Sequence, residues 1–366
     1  MMRIIDQFSR FFVGGLFIFS GLIKLNDPIG TKIKLEEYFD VFSVDFAPFF
    51  EWFIPIALPL GMFLIVLEIA LGVAVLINWK MRLTTWILLL LILFFTFLTF
   101  YSAYFDKVTD CGCFGDAIPL TPWQSFIKDV ILIVFIAHLF WYRHRFTELL
   151  RTRTGNIAIV VVSAASVIVG IYAIEHLPFI DFRPYKVGNN IPENMIPEEQ
   201  PVIEYIFDKD GEEVRSTSYL TEADGYTYKE SHILNEDKTI PKIQDYQVMS
   251  PDGEDYTQAS FEGIKLIIVF QDPKTLRYGK LEELGALLGE LDGMVETMIF
   301  NSIPVDTFES IRHEYQVPGD YYFVDGTVLK AMVRSNPGIL LLQDGTVLGK
   351  WHINDQPSTG ELAGLL

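Results

Sequence analysis

The 366-residue chain is half hydrophobic and 14% aromatic, and it carries a formal net charge of −19 at pH 7. That length leaves room for two or three folding units. The acid excess excludes nucleic acid as a partner, because phosphate needs a basic face, and is otherwise accounted for by solubility. The apolar residues are not evenly spread. As far as about Ile174 the chain is mostly apolar runs, and after Asp181 it is polar and acidic, so the two parts are built for two solvents, lipid and water.

The N-terminal segment, with Phe11–Ser20 as its apolar heart, has the outline of a signal peptide. No small-x-small cleavage site follows it and further spans do, so it reads as an uncleaved first transmembrane helix ending at Leu25. Gly14, Gly15 and Gly21 permit close helix contact in lipid, and Pro28 reads as a stop. The segment through Glu51 is acidic and aromatic. A second span covers about Trp52–Ile77, with Pro55 and Pro59 expected to kink its first half and Glu68 inside the apolar run. The third, from Leu83 to about Tyr104, has no charged residue. A fourth starts near Trp123 and runs to Tyr142, with Lys128 and Asp129 in its first turns, and a fifth covers Ile157–Ile174. Lys80, Arg82 and the arginines of 143–153 fall on one side with the N-terminus. The positive-inside rule makes that side cytoplasmic and puts the C-terminus outside.

Beyond a proline-rich linker the chain reads as β-rich. Val202–Phe207 and Glu213–Thr217 flank an Asp210-Gly211 turn as a hairpin, and the stretch from Ile240 to Asp252-Gly253 is a second hairpin candidate. Ile264–Phe270 is a continuous apolar run, as in a strand buried on both faces. Leucines 276, 281, 284, 287, 288 and 291 recur at helical spacing. Val295–Phe300 is a second buried strand, Phe308–Tyr315 a short helix, Tyr321–Val324 a third strand and Val328–Val333 a helical turn. Ile339–Leu342 and Val347–Trp351 close a hairpin over Asp344-Gly345. Strands alternating with helices and ending in a hairpin describe a central sheet covered on both faces.

This order resembles the thioredoxin fold, and the lead-in from Ile240 to Gly263 is similar to the start of its peroxiredoxin-like and TlpA-like branch. Pro337, after Asn336, stands where that fold carries its cis-proline. After Phe270 the family places Cys-x-x-Cys, whereas this chain reads Gln271-Asp272-Pro273. Without a thiol there is no nucleophile for disulfide exchange, so Gln271, Asp272, Pro273, Asn336 and Pro337 mark a non-canonical site that binds or positions rather than exchanges. The plainer alternative is a purely structural domain.

The chain's two cysteines, Cys111 and Cys113, stand either side of Gly112 after the third span. A single glycine lets the backbone turn tightly enough for the sulfurs to meet, and so small a ring is strained and exchange-prone. On the outer side, which is oxidising in a bacterium, two adjacent thiols tend to pair. Asp110 and Asp116 disfavour the thiolate, and Lys107 is the only cation near in sequence. Two thiols are too few for a structural zinc site, and no histidine is spaced to complete one, so no metal is expected.

Lys24-Leu25-Asn26-Asp27-Pro28 after a glycine-rich first helix, Glu68 in the second span and Cys111-Gly112-Cys113-Phe114-Gly115 after the third resemble the DoxX/MauE family of small four-helix membrane proteins, on its MauE side. Fusion to a fifth span and a thioredoxin-like outer domain is similar to DoxX-family proteins of Bacteroidetes. The resemblance implies a link to disulfide maturation or to quinone-reducing sulfur chemistry.

A carboxylate in lipid is costly, so Glu68 should face the bundle interior and be paired. Lys24 and Lys128 qualify by sign. Glu68 is then a proton or quinone site, or simply a packing hydrogen bond. Lys128 and Asp129 read as interfacial anchors, and His138 as a packing residue.

The expected architecture is a membrane all-α four-helix transmembrane bundle (1–148) plus a fifth transmembrane helix (155–176). A linker and β-hairpin segment (177–239) and a soluble α/β thioredoxin-like domain (240–366) follow. The expected function is extracytoplasmic thiol–disulfide chemistry at the bacterial inner membrane, with Cys111 and Cys113 cycling, Glu68 accepting protons, a membrane quinone as electron acceptor and a protein client outside. The alternative is a non-catalytic anchor whose outer domain scaffolds an envelope complex. Transport is a weaker third reading, since Glu68 stands as the one clear intramembrane ionisable group.

Overall fold

The computed structural model describes residues 2–108, 112 and 114–365. Both cysteines, and with them the expected disulfide, lie outside the described residues. The chain divides into two units, Met1–Arg183 and Pro184–Leu366.

Five helices of the first unit are long and apolar enough to cross a membrane, over Arg3–Asn26, Pro48–Leu76, Met81–Phe105, Pro122–Trp141 and Thr152–Glu175. This is a multi-pass membrane protein, and its lipid-facing surface is set by exposed residues such as Phe11, Phe63, Leu90, Val134 and Ile168. Helix α1 (Met2–Asn26) packs against α3 (Ala57–Leu76) through glycines. A Cβ on Gly14 would lie 3.0 Å from the Gly72 carbonyl oxygen, and one on Gly72 would lie 2.8 Å from that of Gly14. The two backbones are therefore in contact, which side chains would forbid. Gly21 faces Ile69 in the same way, whereas Gly15 faces open space.

Pro28 does not merely end α1. It occupies the first turn of a further helix, α2 (Pro28–Asp45), capped by Asp27, whose carboxylate accepts the Gly30 amide at 2.9 Å. Proline is at home in that position because its missing N–H would be unpaired anyway. With Lys32, Lys34, Glu36 and Glu37 along it, α2 is no span, and Leu35, Tyr38 and Phe42 are its buried positions. The expected kink at Pro55 and Pro59 is resolved differently. Residues Pro48–Ile56 form a 3-10 helix containing Pro55, and the α-helix begins only at Ala57. The remaining helices are α4 (Met81–Phe105), α5 (Pro122–Trp141, opened by a Thr121–Gln124 capping box) and α6 (Thr152–Glu175).

The second unit opens with a short helical turn, α7 (Ile191–Asn194). Strands β1 (Ile203–Lys209), β2 (Glu212–Ser216) and β3 (Thr227–Ile233) then form an antiparallel sheet in the order β2-β1-β3. The hairpin turns on Asp210 and Gly211, both left-handed. After the turn α8 (Glu236–Thr239), the second expected hairpin reduces to isolated bridges of Met249 with Asp255 and Phe323.

The rest is the α/β thioredoxin-like domain. It comprises β4 (Ile264–Phe270), α9 (Leu281–Glu290), β5 (Glu296–Asn301), α10 (Val305–Tyr315), β6 (Asp320–Phe323), α11 (Gly326–Met332), β7 (Gly338–Gln343), β8 (Thr346–His352) and α12 (Thr359–Ala363). The sheet order is β6-β5-β4-β7-β8, with β4, β5 and β6 parallel and the β7–β8 hairpin antiparallel. All the leucines expected at helical spacing, from Leu276 to Leu291, enter one core with Phe270, Phe308 and Ile339. Asn336–Pro337 is a cis peptide.

Candidate functional site

Two polar clusters facing one cavity define the site in the membrane unit. On α3, Glu68 is 2% exposed and accepts from Lys24 Nζ at 2.6 Å and from Ser20 Oγ at 3.1 Å. Ser20 and Lys24 are four residues apart on α1, so one helix face supplies both donors. In the second cluster, Asp129 of α5 is 1% exposed. It pairs with Lys128 at 2.7 Å and accepts from Thr99 Oγ1 of α4 at 3.1 Å. A buried carboxylate is tolerable only when paired and hydrogen-bonded in this way.

Both clusters line one cavity of about 80 Å³. The walls are mainly apolar, among them Phe17, Leu35, Ile65, Phe95, Leu98 and Leu132. Lys24 Nζ sits 5.0 Å from the centre of the Phe95 ring, and Lys128 Nζ 5.2 Å from that of Phe114, so each ammonium also has an aromatic face. Helix α2 contributes Thr31, Lys34 and Tyr38 to the lining.

Gly112 and Phe114, from the loop that carries the cysteines, line the same cavity. Gly112 is left-handed, at φ 65°, and a Cβ there would lie 3.1 Å from Cγ of Lys34. Glycine is thus required twice over, by its dihedral and by the close approach of α2. Lys107 pairs with Asp45 at 3.4 Å, and it is Lys34 and Lys128, remote in sequence, that reach Gly112 and Phe114.

Lys128 and Asp129 are therefore not interfacial anchors. Asp129 shares the buried face of α5 with Ser125, Leu132, Ile136 and Leu139, a helical spacing visible in the sequence. Ser125, one turn before Asp129, is fully buried, and its hydroxyl has no hydrogen-bond partner among the described residues. His138 is more than a packing residue, since its Nε2 lies 2.8 Å from a carboxylate oxygen of Asp6. Along α1 and α5, the apolar residues Val13, Phe17, Leu132 and Ile136 stand between this pair and the cavity.

In the second unit, an amide, Gln271, opens the segment where thioredoxins carry their thiols, and a second amide, Asn336, precedes the cis-proline. Asn336 Oδ1 accepts the Gln271 amide at 3.0 Å, and Asn336 Nδ2 donates to the Asp272 carbonyl at 2.6 Å and to Thr275 Oγ1 at 2.9 Å. Gln271 Nε2 donates to the carbonyls of Val333 (2.9 Å), Ser335 (3.1 Å) and Leu329 (3.3 Å), tying the thiol-equivalent segment to the end of α11 and the loop after it. The five residues read as the non-canonical site thus share one neighbourhood, joined through Asn336.

Residues 2–142 match the family described as methylamine utilisation protein MauE. The first unit contains a MauE-like membrane region. Protein TlpB of Flavobacterium psychrophilum is 30% identical over 138 residues, which make up 36% of this chain and 35% of that protein. The chain therefore spans about a third of the length of that curated relative. The MauE-like region is fused to a further domain, the thioredoxin-like one.

Proposed function

We propose that this protein is a membrane thiol-oxidising centre. In this reading Cys111 and Cys113 pass electrons to a quinone held in the bundle, and the thioredoxin-like domain recruits a protein client on the same, outer side of the bacterial inner membrane. The observation that carries it is the shared cavity: Gly112, the residue joining the two cysteines, lines the space that also holds the Lys24–Glu68 pair.

The lining fits a quinone. Such a ligand is neutral and lipid-soluble, with polar oxygens on a flat ring. The cavity offers apolar and aromatic walls, and its charged groups are the Lys24–Glu68 and Lys128–Asp129 pairs with Lys34, itself paired with Glu37. When bound, the quinone supplies a two-electron, two-proton acceptor. Lys24 and Ser20 hold and orient Glu68, and the apolar walls exclude water. Oxidation of the dithiol to a disulfide forms one S–S bond and releases two electrons and two protons, which convert one quinone to its quinol.

The MauE match over residues 2–142 supports a redox-related role, and the basic residues at 143–153 support an outer location for the loop. Thiol trapping with mass spectrometry in intact cells tests the reading: Cys111 and Cys113 are expected to be protected from alkylation until a reductant is added. Full alkylation without reductant would sink it.

A second reading is favoured by one specific observation, the amide network of Gln271 and Asn336. With no thiol there, the outer domain works as a scaffold and the bundle as its anchor. A Cys111→Ser/Cys113→Ser double variant that keeps the wild-type phenotype and a stable copurifying partner would favour the scaffold.

A further inference from the structure

Oxidising a dithiol at the expense of a quinone moves two protons, and Glu68 accounts for one. We infer that Asp129 is the second proton-handling group of the cavity, with Lys128 and Thr99 as its positioning residues; this rests on the thiol-oxidation reading above. Asp129 lines the same cavity as Glu68, from α5 rather than α3. Its surroundings repeat those of Glu68 with different helices. Each carboxylate is almost fully buried, each has one lysine within 2.7 Å, and each accepts one hydroxyl at 3.1 Å, from Ser20 or from Thr99.

The two lysines match as well, each lying over an aromatic ring of the lining. A residue serving only to anchor α5 at a membrane surface would expose its charge, whereas Asp129 is 1% exposed. If a quinone is held in the cavity, the duplication would provide one carboxylate for each of its two oxygens. In the balanced step, two electrons leave the dithiol, and the two protons reach the quinone oxygens by way of the two carboxylates, giving disulfide and quinol.

Full-length protein in detergent, reduced and freed of reductant, is mixed with decylubiquinone. Disulfide formation is followed in a single turnover by maleimide mass shift between pH 5.5 and 9, and decylubiquinone binding is measured separately by thermal shift. Asp129→Asn and Glu68→Gln are each expected to slow oxidation by roughly tenfold or more, the usual scale of a lost acid–base group. Decylubiquinone affinity should stay within about twofold. Thr99→Val, which removes only the hydroxyl bonded to Asp129, should move the pH profile of the rate with affinity unchanged. An Asp129→Asn protein that oxidises at the wild-type rate and pH profile overturns the inference and leaves the thiol reading standing. If Asp129→Asn does not fold, an unmoved pH profile in Thr99→Val overturns it instead. A wild-type protein that decylubiquinone cannot oxidise overturns the function reading itself.

Discussion

Glu68 and Lys24 illustrate how a residue pair can be required without adding net stability. Separating either charge from its partner leaves the other in a low-dielectric site, whereas replacing both with apolar groups removes the desolvation cost along with the attraction. Glu68→Met alone is therefore expected to cost about 3–5 kcal/mol, and Lys24→Met/Glu68→Met to lie within about 1 kcal/mol of wild type. Reversible unfolding of the full chain in mixed micelles measures both. A double variant as unstable as the single one would mean that Ser20 and the cavity, not Lys24, set the energy of Glu68. Gln271 and Asn336 show the same economy in the second unit, where side-chain amides at the start of the thiol-equivalent segment and before the cis-proline satisfy carbonyls of the surrounding loops.

At the scale of elements, caps decide boundaries that hydropathy misses. Helix α2 exists because Asp27 caps it and Pro28 opens it, yet its mixed charges and aromatics hide any apolar stripe. Helix α11 depends on Asp325, whose carboxylate accepts the Thr327 amide at 2.7 Å and that of Val328 at 3.3 Å. Burial pushes this carboxyl up, and the hydrogen bonds from Thr327 and Val328, with Lys330 nearby, outweigh it and hold the group below its ordinary value. A depressed carboxyl stabilises the fold above the unfolded value of ~3.9 and loses that contribution as pH falls through the folded value. Asp325→Asn is therefore expected to flatten the acid side of the stability curve below about pH 4, by under about 1 kcal/mol since the group is exposed and screened. Thermal unfolding at pH 3 and pH 7 checks this, and an equal loss at both pH values would contradict it.

For the whole molecule, the arrangement of polar groups along the bundle separates one-sided chemistry from transport. The cavity lies at the end that carries the cysteine loop, and the Asp6–His138 pair lies at the other end of α1 and α5. Val13, Phe17, Leu71, Val75, Leu88 and Ile136 pack between them, and a dry apolar layer carries no protons. Proteoliposomes containing the protein should hold a pH gradient as well as empty vesicles do, with Glu68→Gln making no difference. A leak that Glu68→Gln abolishes would restore the transporter reading.

Five apolar runs, the Asp-Gly turns at 210–211 and 344–345 and the strand–helix order after Ile264 are all legible in the chain, because each depends on neighbours within a few residues. Span length, turn chemistry and burial on both faces are local properties. The identity of the Glu68 partner is not local: Lys24 lies 44 residues away, and which of two lysines reaches it depends on how α1, α3 and α5 are rotated about their axes. Asp129 looked interfacial because it stands near a helix start, and only packing against α4 turns its face inward. Gln271 and Asn336 are 65 residues apart and meet because β4 and β7 pair in one register. The sequence by itself therefore determined which segments are apolar enough to enter lipid, which form the sheet of the thioredoxin-like domain and where the thiols stand in the chain. The tertiary structure alone decided which charges share a cavity, because helix rotation and strand register are settled by long-range packing.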